Sequence, residues 1–333
     1  MMLDFSFIIP VYNRPEEIKE LLESMRALTG SIPFEVVIVE DGSTISSESV
    51  VKLFEADLNI SYYFKPNSGP GDSRNYGMKK AKGNYYIILD SDCILPPQYL
   101  EEAKKALDKN YVDCYGGPDA AHESFTDLQK AINYSMTSFL TTGGIRGGKK
   151  SVNKFQPRSF NMGLSKKAFE ATGGFGKIHP GEDPDLTIRL WKAGFDTVLI
   201  PEAFVYHKRR ISWEKFYQQV QKFGLTRPIL NKWHPETKKI TYWFPSVFVL
   251  GFLVSLLFWA ADAPLLLRLY GFYFLAVFAE ALYKNRSAKI ALLSVFAVVV
   301  QFVGYGLAFV KSTFLITFSS KNPEDIFPKL FFK

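Results

Sequence analysis

Residues 85–92 read YYIILDSD, a β-branched and aromatic run that ends in two carboxylates one residue apart. A short apolar stretch bounded by Gly83-Asn84 fits a strand buried in the middle of a sheet. Asp90 and Asp92 then stand where that strand leaves the sheet, and ligands of open α/β sheets bind at the carboxyl ends of strands. Two hard oxygen donors in that place suit Mg2+ or Mn2+ better than zinc. A D-x-D is by itself also an ordinary polar strand end, so the weight given to it depends on the rest of the chain.

Upstream, 5–11 (FSFIIPV), 34–39 (FEVVIV) and 60–64 read as three further strands. Nearly continuous apolar runs of this kind suit a parallel sheet covered on both faces. Pro15 opens a helix with Glu16 and Glu17 in its first turn and Ile18, Leu21, Leu22 and Met25 at helical spacing. Shorter helices are expected near 47–55 and over 72–81. Strand alternates with helix four times, which predicts a doubly wound, mainly parallel α/β domain. Gly69-Pro70-Gly71 does not make a dinucleotide-binding turn, because Arg74 occupies the place of the third glycine and the turn follows the third strand.

Downstream the pattern predicts a helix over 97–109, a strand over 112–115, an amphipathic stretch over 125–140 and a glycine-rich loop over 141–151 (TTGGIRGGKKS). A strand over 160–164 follows, then a helix capped by Ser165 and stopped by Gly173-Gly174. A helix over 182–192 and an extended stretch over 195–206 come next. Residues 211–224 place Trp213, Phe216, Tyr217, Val220 and Phe223 on one helical face behind Lys208-Arg209-Arg210. Such a helix lies on an anionic membrane surface or packs on the core of its own domain.

Past Lys239 the composition changes. The chain is 47% hydrophobic with 30 Phe, and the excess sits toward the high-numbered end. Residues 242–260 carry no charge, are long enough to cross a bilayer, and have Trp243 and Trp259 near their ends. Residues 290–310 are also uncharged and long enough. Between them, 264–283 carries Arg268 and Glu280, which must snorkel or pair. Three membrane helices are expected, with the loop bearing Lys284, Arg286 and Lys289 on the cytoplasmic side by the positive-inside rule. That places the N-terminal domain in the cytoplasm at an inner membrane and leaves the Lys-bearing tail outside, so either the middle segment is not a clean span or the tail is tolerated there. The net charge of +7 suits membrane surfaces and phosphate groups. Nucleic-acid motifs and a dominant basic element are lacking, which excludes that class of partner. Cys93 and Cys114 form no metal or disulfide pattern and fit reduced thiols, and no secretory signal opens the sequence.

Four blocks, FIIPVYNRPE, VIVEDGS, SGPGDSRNYGMKKAKGNYYIILDSD and GEDPDLTIRLWKAG, together resemble, in order and spacing, the family 2 glycosyltransferases of the GT-A fold, in a membrane-anchored bacterial form, over about residues 5–225. The resemblance implies a nucleotide-sugar donor, with Pro10, Tyr12 and Asn13 at the nucleotide and Arg14 nearby. Asp41 would accept the uracil imide N–H, a bond a carboxylate can make. Arg74 would approach the base or the diphosphate, with a surface helix arginine as the plain alternative. Asp90, with Ser91 beside it, would contact the ribose, and Asp92 would bind the divalent metal. His207 stands where such enzymes often have another metal ligand, though a lone histidine is as often structural. Asp183 would be the base that takes the acceptor proton and Glu182 would orient the acceptor, a role for which a simple dipole-complementing pair at a helix start is the alternative. Lys208, Arg209 and Arg210 would close over the diphosphate, and Asn161 with loop 141–150 would line the acceptor side.

One base and one displacement imply inversion. Processive members carry a Q-x-x-R-W block where this chain has YQQVQKFGLTRP; a single addition is therefore expected. The implied organisation is a GT-A domain over 1–225, an interfacial linker over 226–241, membrane helices over 242–318 and a tail over 319–333. The acceptor would be a glycan, polyprenyl-linked or on the cell surface. A polyprenyl-phosphate glycosyl synthase and a catalytically silent membrane scaffold remain as alternative readings.

Overall fold

The computed structural model of the protein describes residues 3–120, 125–143, 155–207 and 212–332. The chain forms two compact units. One comprises Met1–His122, Lys149–His207 and Phe331–Lys333, and the other Glu123–Gly148 and Lys208–Leu330. The boundary expected at residue 225, and the linker expected from 226, both fall within a single helix of the second unit.

The first unit opens with β1 (Phe5–Val11), α1 (Pro15–Arg26), β2 (Phe34–Asp41), α2 (Glu48–Lys52), β3 (Ile60–Lys65), α3 (Pro70–Lys80) and β4 (Tyr85–Leu89), then β5 (Cys93–Ile94), α4 (Tyr99–Lys109), β6 (Cys114–Gly116) and β7 (Asp119–Ala120). After α5 (Asp127–Thr137) and α6 (Phe139–Thr142), which belong to the second unit, it resumes with β8 (Asn161–Ser165), α7 (Lys166–Thr172), α8 (Glu182–Lys192), β9 (Thr197–Leu199) and β10 (Val205–His207). Seven strands form one sheet in the order β3-β2-β1-β4-β8-β6-β9. Only β8 runs against its neighbours β4 and β6; the other pairings are parallel. This is the doubly wound, mainly parallel sheet that the alternation predicts.

The continuous apolar runs have the expected cause. Phe5, Phe7, Ile9 and Val11 of β1 join one core layer with Ile18, Leu21 and Leu22 of α1, while Ile8 joins the opposite layer with Val37, Tyr86 and Ile88. Side chains alternate across the sheet, and both faces are covered. Glu35, the charge inside β2, is buried yet satisfied: Ser6 Oγ donates to it at 2.7 Å and the Lys82 and Gly83 amides at 2.5 and 3.2 Å. It thereby sets where the chain turns into β4. Ser165 caps α7 by accepting from the Ala168 amide at 3.0 Å, and Gly173 ends it at φ 72°. The expected extended stretch over 195–206 resolves into β9 and β10.

In the second unit, α9 (Trp213–Trp233) runs through Gly224 and Pro228, beyond the end the sequence pattern predicts. The backbone of Tyr305 lies 2.4 Å from where a Cβ on Gly224 would be, so the glycine serves close helix packing instead of a stop. Three long helices follow, α10 (Phe244–Ala260), α11 (Leu265–Asn285) and α12 (Ala288–Phe318), before the short α13 (Pro323–Ile326). Ile240–Ala260, which adds the turn before α10 to that helix, Leu265–Asn285 and Ala288–Phe318 are each long and apolar enough to cross a membrane. Glu280 in α11 pairs, as its position requires. Tyr134 and Ser138 hydroxyls donate to one of its oxygens at 2.6 and 2.5 Å, and Lys284 Nζ to the other at 2.5 Å.

Gly163, at the centre of β8, is the tightest test of sheet packing. A Cβ there would lie 1.9 Å from the ring of Tyr115. That ring is buried, and it stacks on Tyr85 with centroids 6.1 Å apart. We expect Gly163→Ala to destabilise the first unit by about 1–3 kcal/mol, read as a lower thermal midpoint of the detergent-solubilised protein. An unchanged midpoint would show that the ring can move.

Candidate active site

β4 delivers Asp90, Ser91 and Asp92 to the edge of the sheet, and a second, three-stranded sheet fixes what faces them. Its order is β5-β10-β7, with β10 antiparallel to β5 so that His207 sits opposite Cys93. That register places His207 Nε2 at 3.1 Å from Asp92 Oδ1 and 4.0 Å from Asp90 Oδ2. Phe160 stacks on the imidazole at 4.7 Å and holds its plane. Arg14 donates to the other oxygen of Asp92. Burial works to raise the Asp92 carboxyl, but His207 and Arg14 outweigh it and hold the group well below the usual carboxylate range. Asp92, Cys93 and His207 offer three ligand atoms within 4.8 Å of one another. Burial pushes the Cys93 thiol well up, which leaves the carboxylate and imidazole as the working donors. The ionised oxygen suits Mg2+ or Mn2+, and the ring nitrogen beside it favours Mn2+ of the two.

Arg74 ties this edge to α8. Its side chain is 3% exposed; Nη2 donates to Asp90 Oδ1 at 2.6 Å and Nη1 to Glu182 Oε1 at 3.1 Å. The surface-arginine alternative is therefore corrected: Arg74 lies on the inward face of α3, where it must be paired. The Phe175 ring lies 5.3 Å from its guanidinium carbon. Gly181, at φ 122°, makes the turn that starts α8, and Glu182 and Asp183 occupy the first helical positions. Glu182 points inward, where His179 Nδ1 also lies 3.0 Å from Oε1. Burial would raise its carboxyl, but His179 and Arg74 together bring it down to about 2. Asp183 Oδ2 lies 3.4 Å from Arg158 Nη1. The D-S-D and E-D segments thus share one arginine and one edge of the sheet.

At the ends of β1 and β2, Asn13 adopts φ 53°, a left-handed conformation that asparagine tolerates. Its side-chain oxygen accepts from the amides of Thr44 and Ile45 at 2.8 and 2.9 Å, and its own amide donates to Ser43 Oγ at 2.8 Å. Pro10, one residue before the end of β1, is partly buried, and Tyr12 next to Asn13 is half exposed. Asp41 is placed otherwise than a free base reader would be. Its Oδ1 accepts from Lys65 Nζ at 2.7 Å and the Ser68 amide at 2.9 Å; its Oδ2 accepts from the Gly69 amide at 2.9 Å and Asn67 Nδ2 at 3.3 Å. The carboxylate fastens the turn between β3 and α3. Gly69, at φ 93°, lies beneath the ring of Phe332, which a Cβ there would meet at 2.3 Å. The Phe332 amide donates to the Lys177 carbonyl at 3.1 Å, and Phe331 bridges to Ile178.

Ser91 is buried between the two aspartates, and Asn161 is buried, with Tyr99 donating to its side-chain oxygen at 2.6 Å and its amide donating to the Ala203 carbonyl at 2.8 Å. Asn161 thus ties β8 to α4 and to the loop before β10, and is not the cleft wall expected. Lys65, Arg158 and His179 were not singled out in the sequence because each stands alone, without a spacing that marks it. Lys208, Arg209, Arg210 and loop residues 144–154 lie outside the described residues.

Residues 6–173 match the model of the family described as Glycosyl transferase family 2. An uncharacterized glycosyltransferase of Rickettsia bellii is 39% identical over 105 residues, which are 32% of this chain and 15% of that protein. The poly(ribitol-phosphate) beta-N-acetylglucosaminyltransferase TarS of Staphylococcus aureus is 34% identical over 115 residues, 34% of this chain and 20% of TarS. Glycosyltransferase GlyA of Streptococcus pneumoniae is 26% identical over 239 residues, 70% of this chain and 33% of GlyA. The chain thus matches a third or less of the length of these relatives. Among solved structures, the mannosyltransferase PcManGT of Pyrobaculum calidifontis shares the fold at a TM-score of 0.59 and 17% identity, covering 94% of this chain and 87% of that one. With the family match spanning half of the sequence, on the sheet whose edge carries the aspartates and their arginine, the chain belongs to glycosyltransferase family 2, on a GT-A fold.

Proposed function

We propose that this chain is a membrane-bound, inverting glycosyltransferase that moves one sugar at a time from a nucleotide-sugar, in our reading a UDP-sugar, to a lipid-linked or cell-surface glycan acceptor. The observation that carries the reading is Arg74, because it draws Asp90 and Glu182 from separate elements to one place. Asp92 and His207 are the residues that would hold Mg2+ or Mn2+, and a bound cation there supplies positive charge where the departing diphosphate gathers negative charge. PcManGT, which has the same fold, was solved with GDP-Man and Mn2+, which supports that assignment. Arg14 adds a permanent positive charge at the same carboxylate.

Pro10, Tyr12 and Asn13 form the strand-end turn against which the nucleotide would rest, with Asp90 and Ser91 at its ribose. Asp41 contributes at the base end by holding the Asn67–Gly69 turn, since all four of its lone-pair positions are taken within the fold. In the transfer itself, the acceptor hydroxyl oxygen attacks the anomeric carbon as Asp183 takes its proton, and the bond to the diphosphate oxygen breaks. A single displacement of this kind inverts the anomeric centre. Arg158 orients the Asp183 carboxylate, and Glu182, held by Arg74 and His179, fixes the start of α8 on which Asp183 rides. The three apolar helices favour an acceptor that is itself membrane-bound.

With a UDP-sugar panel and Mn2+, the wild type should release UDP. Asp92→Asn should lose both that turnover and the Mn2+-dependent rise in melting temperature that a bound nucleotide gives. A wild type with neither turnover nor nucleotide binding for any donor would leave a silent scaffold. Asp183→Asn should lower kcat by about 10^2–10^4-fold while keeping the nucleotide-induced shift; unaltered turnover would remove Asp183 from the role of base. Polyprenyl phosphate offered alone should give no product, and product there would make the enzyme a synthase acting on phosphate.

Glu182 yields a pH signature. Its carboxyl titrates lower in the folded protein than in the unfolded chain, about 2 against 4.5. Its contribution to stability is therefore complete above about pH 4.5 and lost as the pH falls toward 2. Glu182→Gln leaves buried Arg74 short of one carboxylate and should cost about 3 kcal/mol near neutrality. Its melting temperature should also fall less steeply than that of the wild type between pH 5 and 3, and parallel curves would refute the assignment.

A further inference from the structure

The path of the chain through the two units constrains how it meets a bilayer. β10 ends at His207, paired with Cys93 in the first unit, and Phe331 and Phe332 are bonded to Ile178 and Lys177 of the same unit. Among the described residues, all candidate membrane-spanning helices lie between those two points. A chain that leaves one globular unit and returns to it crosses a bilayer an even number of times. Three helices have the length and hydropathy to cross, so one of them does not.

α9 identifies which. It runs beside α12 in the same direction: Trp213 packs on Phe296 at 4.7 Å, Tyr217 and Val220 flank Gly304, Gly224 meets Tyr305 and Ala308, and Ser312 Oγ donates to the Leu225 carbonyl at 2.6 Å. The contact runs from Phe296 to Ser312, about 24 Å of helix, most of a hydrocarbon core about 30 Å thick. The outer face of α9 over that length carries Glu214, Lys215, Gln218 and Lys222, all exposed. An α12 placed across the bilayer would carry those side chains through hydrocarbon, which charged groups avoid. The burial agrees: 44% of the apolar window of α12 is buried inside the protein, against 11% in each of the other two.

The face of α12 turned away from α9 is a single stripe. Leu292, Val299, Leu307, Val310, Phe314 and Phe318 are exposed and recur at helical spacing, with Phe296 at the border where it meets Trp213. Lys284, Arg286, Lys289, Lys311 and Lys321 lie at its ends and flank, a charge complement for anionic headgroups. We infer that α10 and α11 cross the bilayer as a hairpin with Asp262 at its far tip, and that α12, backed by α9, lies in the membrane surface with this stripe in the acyl region.

Two measurements on the full chain test this. In intact cells, a membrane-impermeant maleimide should label Asp262→Cys, and should label Lys289→Cys and Lys321→Cys only after permeabilisation; Cys93 and Cys114 are buried and give little background. Lys321→Cys labelled from the same side as Asp262→Cys, or all three labelled together, overturns the inference. In vesicles containing anionic lipid, spin labels at Val299→Cys and Phe314→Cys should report one common depth. A spanning α12 would separate them by about 22 Å, and that result also overturns it. Both positions are exposed; Val310→Cys provides a third depth should either variant fold poorly.

Discussion

Arg74 is a permanent cation with almost no contact with water, and a guanidinium in that position has to be matched by carboxylates. The two that match it come from the end of β4 and the start of α8. Removing either leaves a buried charge, so one arginine holds the geometry of both acidic segments. The same logic runs outward: His179 shares Glu182 with Arg74, and Arg14 shares Asp92 with His207. The site is a chain in which carboxylates alternate with arginines and imidazoles.

That arrangement was legible in part. The four parallel strands could be read from the sequence because each is a short and nearly continuous apolar run, a pattern that suits a sheet covered on both faces. Asp90 and Asp92 could be found because they end an apolar strand, and Glu182 and Asp183 because they open a helix behind Gly181. The pairing of His207 with Asp92 depends instead on the register of a three-stranded sheet whose strands are two or three residues long, too short to leave a periodic signal. Lys65, Arg158 and His179 act through spatial neighbours far away in sequence. Asp41 shows the reverse: its residue type suits a ligand contact, and its bonds to Lys65, Asn67, Ser68 and Gly69 lie far away in sequence.

The helices of the second unit show a related limit. Gly224 and Pro228 are stop signals in isolation, yet α9 passes both because α12 packs closely against Gly224. Hydropathy likewise ranks α12 above α10 and α11. What separates α12 from them is a polar companion helix, and companionship is a property of tertiary structure that a sliding window does not register.

Phe331 and Phe332 close the first unit over Ile178 and Gly69. On the ribosome they emerge after every apolar helix has been made. The seam that these two residues make with Ile178 and Gly69 can therefore close only after α10, α11 and α12 have been synthesised, so the first unit is completed by residues that follow the apolar helices in the chain.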